Sequence, residues 1–232
     1  MDKRLLIWGD SGSIGSAIMR MAPSYGWGQV GAGHVGLDFQ DRPTMEIRQK
    51  AIRARLSEVL PHAIVHAAGH NALSWIGTTP AEDFMDHFTV NVWSFYEIIN
   101  QAVAMGMAPM PVVAIGSEAA WVPMRCSSYY CASKAALVHM VKVMARELAP
   151  KGWRINCVSP GVVSNTLMTA HVFDQVTKLR GWSREHLMKV MMEQTPDGRM
   201  ATPEDVAHSV LFLLGPNSGH LNGVNLEVTG GK

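Results

Sequence analysis

Leu5-Leu6-Ile7-Trp8-Gly9-Asp10-Ser11-Gly12-Ser13-Ile14-Gly15 decides how this chain folds. Four apolar residues read as a short buried strand, a turn of small residues follows at once, and Ser16 to Met21 carries a helical run. Strand, Gly-rich turn and helix N-terminus in that order form an anion site. Small residues let backbone N–H groups approach a pyrophosphate, and the helix dipole favours its charge. Gly9, Ser11, Ser13, Ile14 and Gly15 are therefore expected to touch a dinucleotide.

A second stretch supplies chemistry. Pro111-Val112-Val113-Ala114-Ile115 is a buried-type strand that delivers Ser117 to the carboxyl edge of a sheet, where ligands of open α/β folds bind. Tyr130 follows thirteen residues later and Lys134 four after that, one helical turn apart and on one face. A phenol titrates near ~10 when unperturbed, and a cation a few ångströms away favours its ionised form. Lys134 is expected to lower Tyr130 in this way, while the Ser117 hydroxyl steadies a substrate oxygen with which Tyr130 exchanges a proton. Tyr129 lacks a lysine at i+4 and reads as packing.

Together these stretches resemble the short-chain dehydrogenase/reductase family, over nearly the whole chain. The family's Gly-x-x-x-Gly-x-Gly turn maps onto Gly9, Ser13 and Gly15, with Ser in the middle place. Its Asn-Asn-Ala-Gly segment maps onto His66-Ala67-Ala68-Gly69, and its catalytic Asn, Ser, Tyr and Lys onto Asn91, Ser117, Tyr130 and Lys134. Pro160, Gly161 and Val163 fall in the segment that flanks the nicotinamide; the family's Thr five places after the Pro is Asn165 here, with Thr166 one place late. Gly198 to Ala207 and the closing Gly230-Gly231 look like the C-terminal signature. The resemblance implies a single-domain, doubly wound (Rossmann-type) α/β fold over 1–232, a parallel sheet with helices on both faces. It implies an NAD(P) cofactor touched by Ala67, Ala68 and Gly69 as well as Tyr130 and Lys134, a water held by Asn91 that links Lys134 to solvent, and a homodimer or homotetramer. By position, 164–198 is a substrate lid, and Leu167, Met168, Val172, Phe173 and Trp182 suggest that it closes over something apolar.

The adenosine side is where the chain is least ordinary. Gly28 to His34 reads as a short second strand and Val35 to Asp41 resembles the family's strand ending in Leu-Asp-Val-Thr-Asp, with almost nothing between. Asp38 and Phe39 then approach the adenine. Alternatively Asp38 is the acid that bonds a ribose 2′-OH, the NAD choice. His34 lies nearer the expected position, with no acid beside it to repel a 2′-phosphate and Arg42 at hand, which favours NADP.

Composition agrees. The chain has 232 residues, 20 Lys plus Arg against 19 Asp plus Glu, and no charged block, so neither nucleic acid nor an anionic membrane is expected as partner. The uncharged run Ile98 to Ser117 is broken by Asn100, Gln101, Gly106, Pro109 and Pro111, and reads as helix end, turn and strand. Three cysteines without scaffold spacing and an N-terminus that reads directly as strand make the cytoplasm the expected location. Pro43 to Leu60 reads as an amphipathic helix. His62, His66 and His70 recur every fourth residue, but in strand and turn, so no metal site is expected, and His66 is expected to make a structural hydrogen bond. Thr79-Pro80-Ala81-Glu82 reads as a capping box opening a helix to about Met105 with Asn91 in its middle, and Thr202-Pro203-Glu204-Asp205 as one capping a helix through Leu214, before a last strand Asn222–Val228.

The function expected is reduction of a ketone by an NAD(P)-dependent oxidoreductase. An NAD-dependent alcohol or hydroxysteroid dehydrogenase, and a dinucleotide-binding sensor without turnover, are the alternatives.

Overall fold

The computed structural model describes residues 3–33 and 44–232. His34, Asp38 and Phe39, and the reading of Val35 to Asp41 as a strand, lie outside the described residues.

Leu5-Leu6-Ile7-Trp8 forms the strand it predicts, β1 (Lys3–Trp8), and alternation sorts its side chains to two faces. Leu5 and Ile7 pack with Ala17, Ile18, Val206, Val210 and Leu211; Leu6 and Trp8 pack with Ile52, Leu56, Phe95, Ile98, Leu137 and Val141. Both faces are dry from Leu5 to Trp8, so that run is apolar, as buried parallel strands are, while Lys3 and Arg4 start the strand nearer solvent. The remaining strands are β2 (Trp27–Gly33), β3 (Ala63–His66), β4 (Pro111–Ile115), β5 (Arg154–Pro160) and β6 (Asn225–Val228), all paired parallel in the order β2-β1-β3-β4-β5-β6. Helices α1 (Ser13–Met21) and α8 (Pro203–Leu214) cover one face; α2 (Met45–Val59), α4 (Ser94–Ala104) and α5 (Ser128–Leu148) cover the other. This is the doubly wound α/β sheet expected. The order reverses at β1, which opens a crevice between the carboxyl ends of β1 and β3.

Gly9 makes the turn possible. Its φ is +86°, and a Cβ there would stand 2.5 Å from the Ala68 nitrogen, so only glycine lets the turns after β1 and β3 touch. Gly12 then precedes α1 in extended conformation with no side chain capping the helix.

The two Thr-Pro motifs diverge. Thr202 caps α8, accepting from the Asp205 amide at 3.1 Å while Asp205 accepts from the Thr202 amide at 2.9 Å. Thr79 does not cap α3 (Ala81–Phe88): its hydroxyl bonds Ser74 and the Trp75 carbonyl, and Pro80 becomes the cap residue. The turn at Ser74 to Thr78 competes for the hydroxyl and wins, a local influence from just before the motif that the motif itself does not encode. The single helix expected from there to about Met105 is interrupted by a wider π turn at Thr89–Trp93, with α4 beyond it. The last strand starts at Asn225 rather than Asn222, because Asn222 is used to bond Ile155 N and Trp153 O beside β5. Among the described residues no helix is long and apolar enough to cross a membrane.

Candidate active site

The carboxyl ends of β1, β3, β4 and β5 open into one cavity of about 1140 Å³. Gly9, Ser11, Ser13, Ile14 and Gly15 line it from the turn after β1, Ala67, Ala68 and Gly69 from the turn after β3, and Pro160, Gly161 and Val163 from the end of β5. Ser117, Tyr130 and Lys134 line it as well. The two stretches that carry the sequence reading therefore meet, although more than a hundred residues separate them.

The turn suits a dinucleotide phosphate on its geometry. The first N–H groups of a helix have no partner within it, and α1 has neither a capping side chain nor an acid in its first turn. Gly15 packs so closely under Gly9 that a Cβ would overlap the Gly9 carbonyl oxygen, which holds these amides against the crevice.

Ser117 sits two residues past the end of β4. Its Oγ accepts from Ala119 N at 3.1 Å, which leaves the hydroxyl proton for another acceptor. Tyr130 and Lys134 lie in the first two turns of α5, both almost fully buried. Lys134 Nζ donates to the Ile115 carbonyl at 2.9 Å and lies 5.9 Å from the centre of the Tyr130 ring. The expected lowering of the phenol is not what this pair produces. Burial pushes Tyr130 up to about 12, against the downward pull of the Ser117 hydroxyl. Burial also pushes Lys134 down to about 8, with Cys157 opposing. Spacing along a helix sets which groups are neighbours; it carries no information on how dry they are, and dryness dominates here.

Asn91 is fully buried in the π turn rather than lining the cavity. Its Oδ1 accepts from His70 N at 2.8 Å, and its Nδ2 donates to His70 O at 2.9 Å and to Ser133 Oγ at 2.9 Å. The side chain thus clamps the turn after β3 to α5, and a Cβ on Gly69 would come within 3.7 Å of Lys134 Nζ and 3.8 Å of Asn91 Oδ1. The three histidines are used separately: His62 Nδ1 accepts from Arg4 N, His66 Nε2 bonds Ser94 Oγ at 2.7 Å, and the His70 ring packs on His87. His66 makes the structural bond expected of it, and burial holds its ring down to about 3, so it is neutral. Tyr129 packs edge-on against His87 and donates to Ser74, as a packing residue would.

The segment 164–198 forms α6 (Leu167–Arg180) and α7 (Arg184–Glu193) over the cavity. Phe173, Val176 and Leu187 are its buried core, and Thr166 caps α6 by accepting from Thr169 N at 2.9 Å. Sequence reading missed Glu118. It is 2% exposed, lines the cavity beside Gly161 and pairs with Lys232 at 3.1 Å. An acid beside Ser117 at a strand end was the available signal; its partner 114 residues away was not. Arg125 and Arg180 also line the cavity without having been foreseen.

Comparison with known proteins agrees with this arrangement. Residues 17–232 match the family described as enoyl-(acyl carrier protein) reductase. The chain is 35% identical to L-xylulose reductase of Homo sapiens over 154 residues, which is 65% of this chain and 59% of that protein. It is 28% identical over 243 residues to 3-oxoacyl-(acyl-carrier-protein) reductase of Rickettsia felis, covering 99% of this chain and 96% of that one. A short-chain dehydrogenase family protein from Francisella tularensis superposes with a TM-score of 0.84 at 23% identity, over 99% of this chain and 98% of that one. An actinorhodin polyketide ketoreductase with NADPH gives a TM-score of 0.86 at 23% identity over 99% and 96%. At these identities the solved structures establish the fold, and the matched residues establish the kinship: the chain belongs to the short-chain dehydrogenase/reductase family.

Proposed function

We propose that this chain is an NAD(P)-dependent oxidoreductase that reduces a ketone to a secondary alcohol. One observation carries the reading: the uncapped N-terminus of α1 and the Ser117, Tyr130, Lys134 group line the same cavity. The relatives support it, since L-xylulose reductase and 3-oxoacyl-(acyl-carrier-protein) reductase are both named as reductases.

In this reading the amides of Ser13, Ile14 and Gly15 hold the cofactor's pyrophosphate, with Ala67 to Gly69 and Pro160 to Val163 along the rest of its length. When bound there, the nicotinamide would supply the hydride for the substrate carbon. Ser117 donates its hydroxyl proton in a hydrogen bond to the substrate oxygen, because Ala119 N already occupies one of its lone pairs. Tyr130 gives that oxygen its proton. A phenol held near 12 is fully protonated at neutral pH, so the proton to be given is in place, and the Ser117 hydroxyl, which pulls the phenol down, eases its release. The protonated phenol is the form that serves reduction, whereas taking a proton from an alcohol would need the phenolate. Lys134, brought down to about 8, is a proton source behind the phenol. Asn91 acts by position, fixing the His70 turn against α5, and the water-holding role belongs to this proposal only through that clamp.

The segment 164–198 serves as the substrate lid. NADP rather than NAD rests on His34 and Arg42. A homodimer or homotetramer is supported by exposed apolar side chains on α4 and α5, among them Tyr96 and Val143, and a cytoplasmic location by three free thiols. Titration of the protein with NADPH and NADH by fluorescence, followed by a ketone panel, tests the reading. We expect micromolar binding with NADPH the tighter, and turnover of at least one ketone. Binding with no turnover would transfer the protein to the sensor class; no binding would remove both.

A further inference from the structure

Where the loop entering α5 meets the end of α6, two arginines line the cavity. Arg180 Nη2 donates to the Arg125 carbonyl at 2.6 Å, and each guanidinium lies over a tryptophan, Arg125 over Trp75 at 5.3 Å and Arg180 over Trp182 at 5.4 Å. Arg180 Nε is buried without an acceptor. Among the described residues no carboxylate stands within ion-pairing distance of either guanidinium. The acidic or basic groups on the lining, histidine apart, are Glu118 against Arg125, Lys134, Arg180 and Lys232. Glu118 and Lys232 neutralise each other, and Lys134 is engaged with Ile115 O. The uncompensated positive charge of the lining is therefore carried by Arg125 and Arg180 on the lid side, each beside a tryptophan, and by Lys134 under Tyr130.

Planar guanidinium groups with spare donors fit a carboxylate, and much of the remaining lining near the lid, Met124, Phe173 and Val176 among it, is apolar and fits an alkyl chain. Arg125 is five residues before Tyr130, so at most ~18 Å of chain separates their Cα atoms. We propose that Arg125 and Arg180 form an anion subsite for the substrate, which is an oxo acid whose carboxylate they hold while its ketone faces Tyr130. This rests on the reductase reading and narrows its substrate class.

The test compares 6-oxoheptanoate with its methyl ester by kcat/KM, and heptanoate with 1-heptanol by calorimetry, which needs no turnover. The wild type favours the acid at least tenfold. Arg180→Met abolishes that preference while the ester's kcat/KM and NADPH affinity stay within twofold. Arg180→Lys keeps part of it, and Arg125→Met, which leaves Arg180's backbone acceptor in place, reduces it. Equal rates for acid and ester in the wild type overturn the proposal. So does an equal loss for both in Arg180→Met, which would mark a structural role for the lid, and so does weakened NADPH binding, which would place the pair in the nucleotide site. If neither ketone is turned over, heptanoate binding that Arg180→Met removes still upholds the subsite, and its absence from the wild type overturns it; the reductase reading fails only when the whole ketone panel also gives no turnover.

Discussion

The two walls of the cavity are built in opposite ways. The sheet wall hangs Ser117, Tyr130 and Lys134 on a strand end and a 21-residue helix, all nearly dry, with Lys134 and Ser117 pinned to backbone atoms. The lid wall rests on three buried side chains, Phe173, Val176 and Leu187, and leaves Leu167 85% exposed at its leading edge. Proton transfer needs groups held to fractions of an ångström, and strand ends supply that; admitting a substrate needs a wall whose opening costs little. On the proposed reading, the rigid wall would set the chemistry and the lid wall would set what reaches it.

The strongest way to break that division is at the base of the rigid wall. Gly15→Ala forces a methyl into the Gly9 carbonyl, and we expect nucleotide affinity to fall at least a hundredfold by fluorescence titration. Unchanged affinity would mean that the turn does not hold the cofactor. Next, Leu137→Ala and Phe173→Ala separate the walls. The first removes a fully buried side chain under α5 and costs about 2–5 kcal/mol in denaturant unfolding. The second should leave the global midpoint within about 4 °C while raising substrate KM about tenfold. Equal losses of stability from both would erase the distinction.

Acid sharpens it further. His66, under the rigid wall, is kept neutral in the fold down to about pH 3, whereas an unfolded chain protonates it below its ordinary value of 6.5. The unfolded state then binds the extra proton, so stability is full above pH 6.5 and falls as pH drops toward 3, by up to about 1.4 kcal/mol per pH unit. His66→Asn should flatten that slope, and a slope unaltered would show that other groups set the acid limit. The smallest effects come from the two Thr-Pro motifs. Thr202→Ala should cost about 1 kcal/mol through a lost helix cap, and Thr79→Ala, which caps nothing, should weaken only the loop facing the lid. Equal costs would contradict the assignment.

Much of the rigid wall was legible in the sequence, because strand ends and helix spacing are local. Leu5 to Trp8 announced a buried strand, Gly9 to Gly15 a tight turn into a helix N-terminus, and the steps from Ser117 to Tyr130 to Lys134 brought three side chains into one cleft. What was not legible is what depends on partners far along the chain. The direction of the Tyr130 shift follows from burial, and the Glu118 and Lys232 pair from a tail that returns 114 residues later; the failure of the Thr79 cap is a different case, a local competition from Ser74 and Trp75 just before the motif. Asn91 was expected in mid-helix and lies in the π turn between α3 and α4, and its clamp on His70 and Ser133 could be seen only once α5 stood beside the β3 turn. His34, Asp38 and Phe39 lie outside the described residues and stay as the sequence has them.

The central claim is that Tyr130 gives the proton and takes no part in holding the nucleotide's phosphates. Measuring Tyr130→Phe for both NADPH affinity and single-turnover oxidation of bound NADPH by a ketone tests it in one preparation. The account predicts affinity within about threefold of wild type and a rate reduced at least about a thousandfold. A variant that still oxidises NADPH at a tenth of the wild-type rate or faster would contradict it.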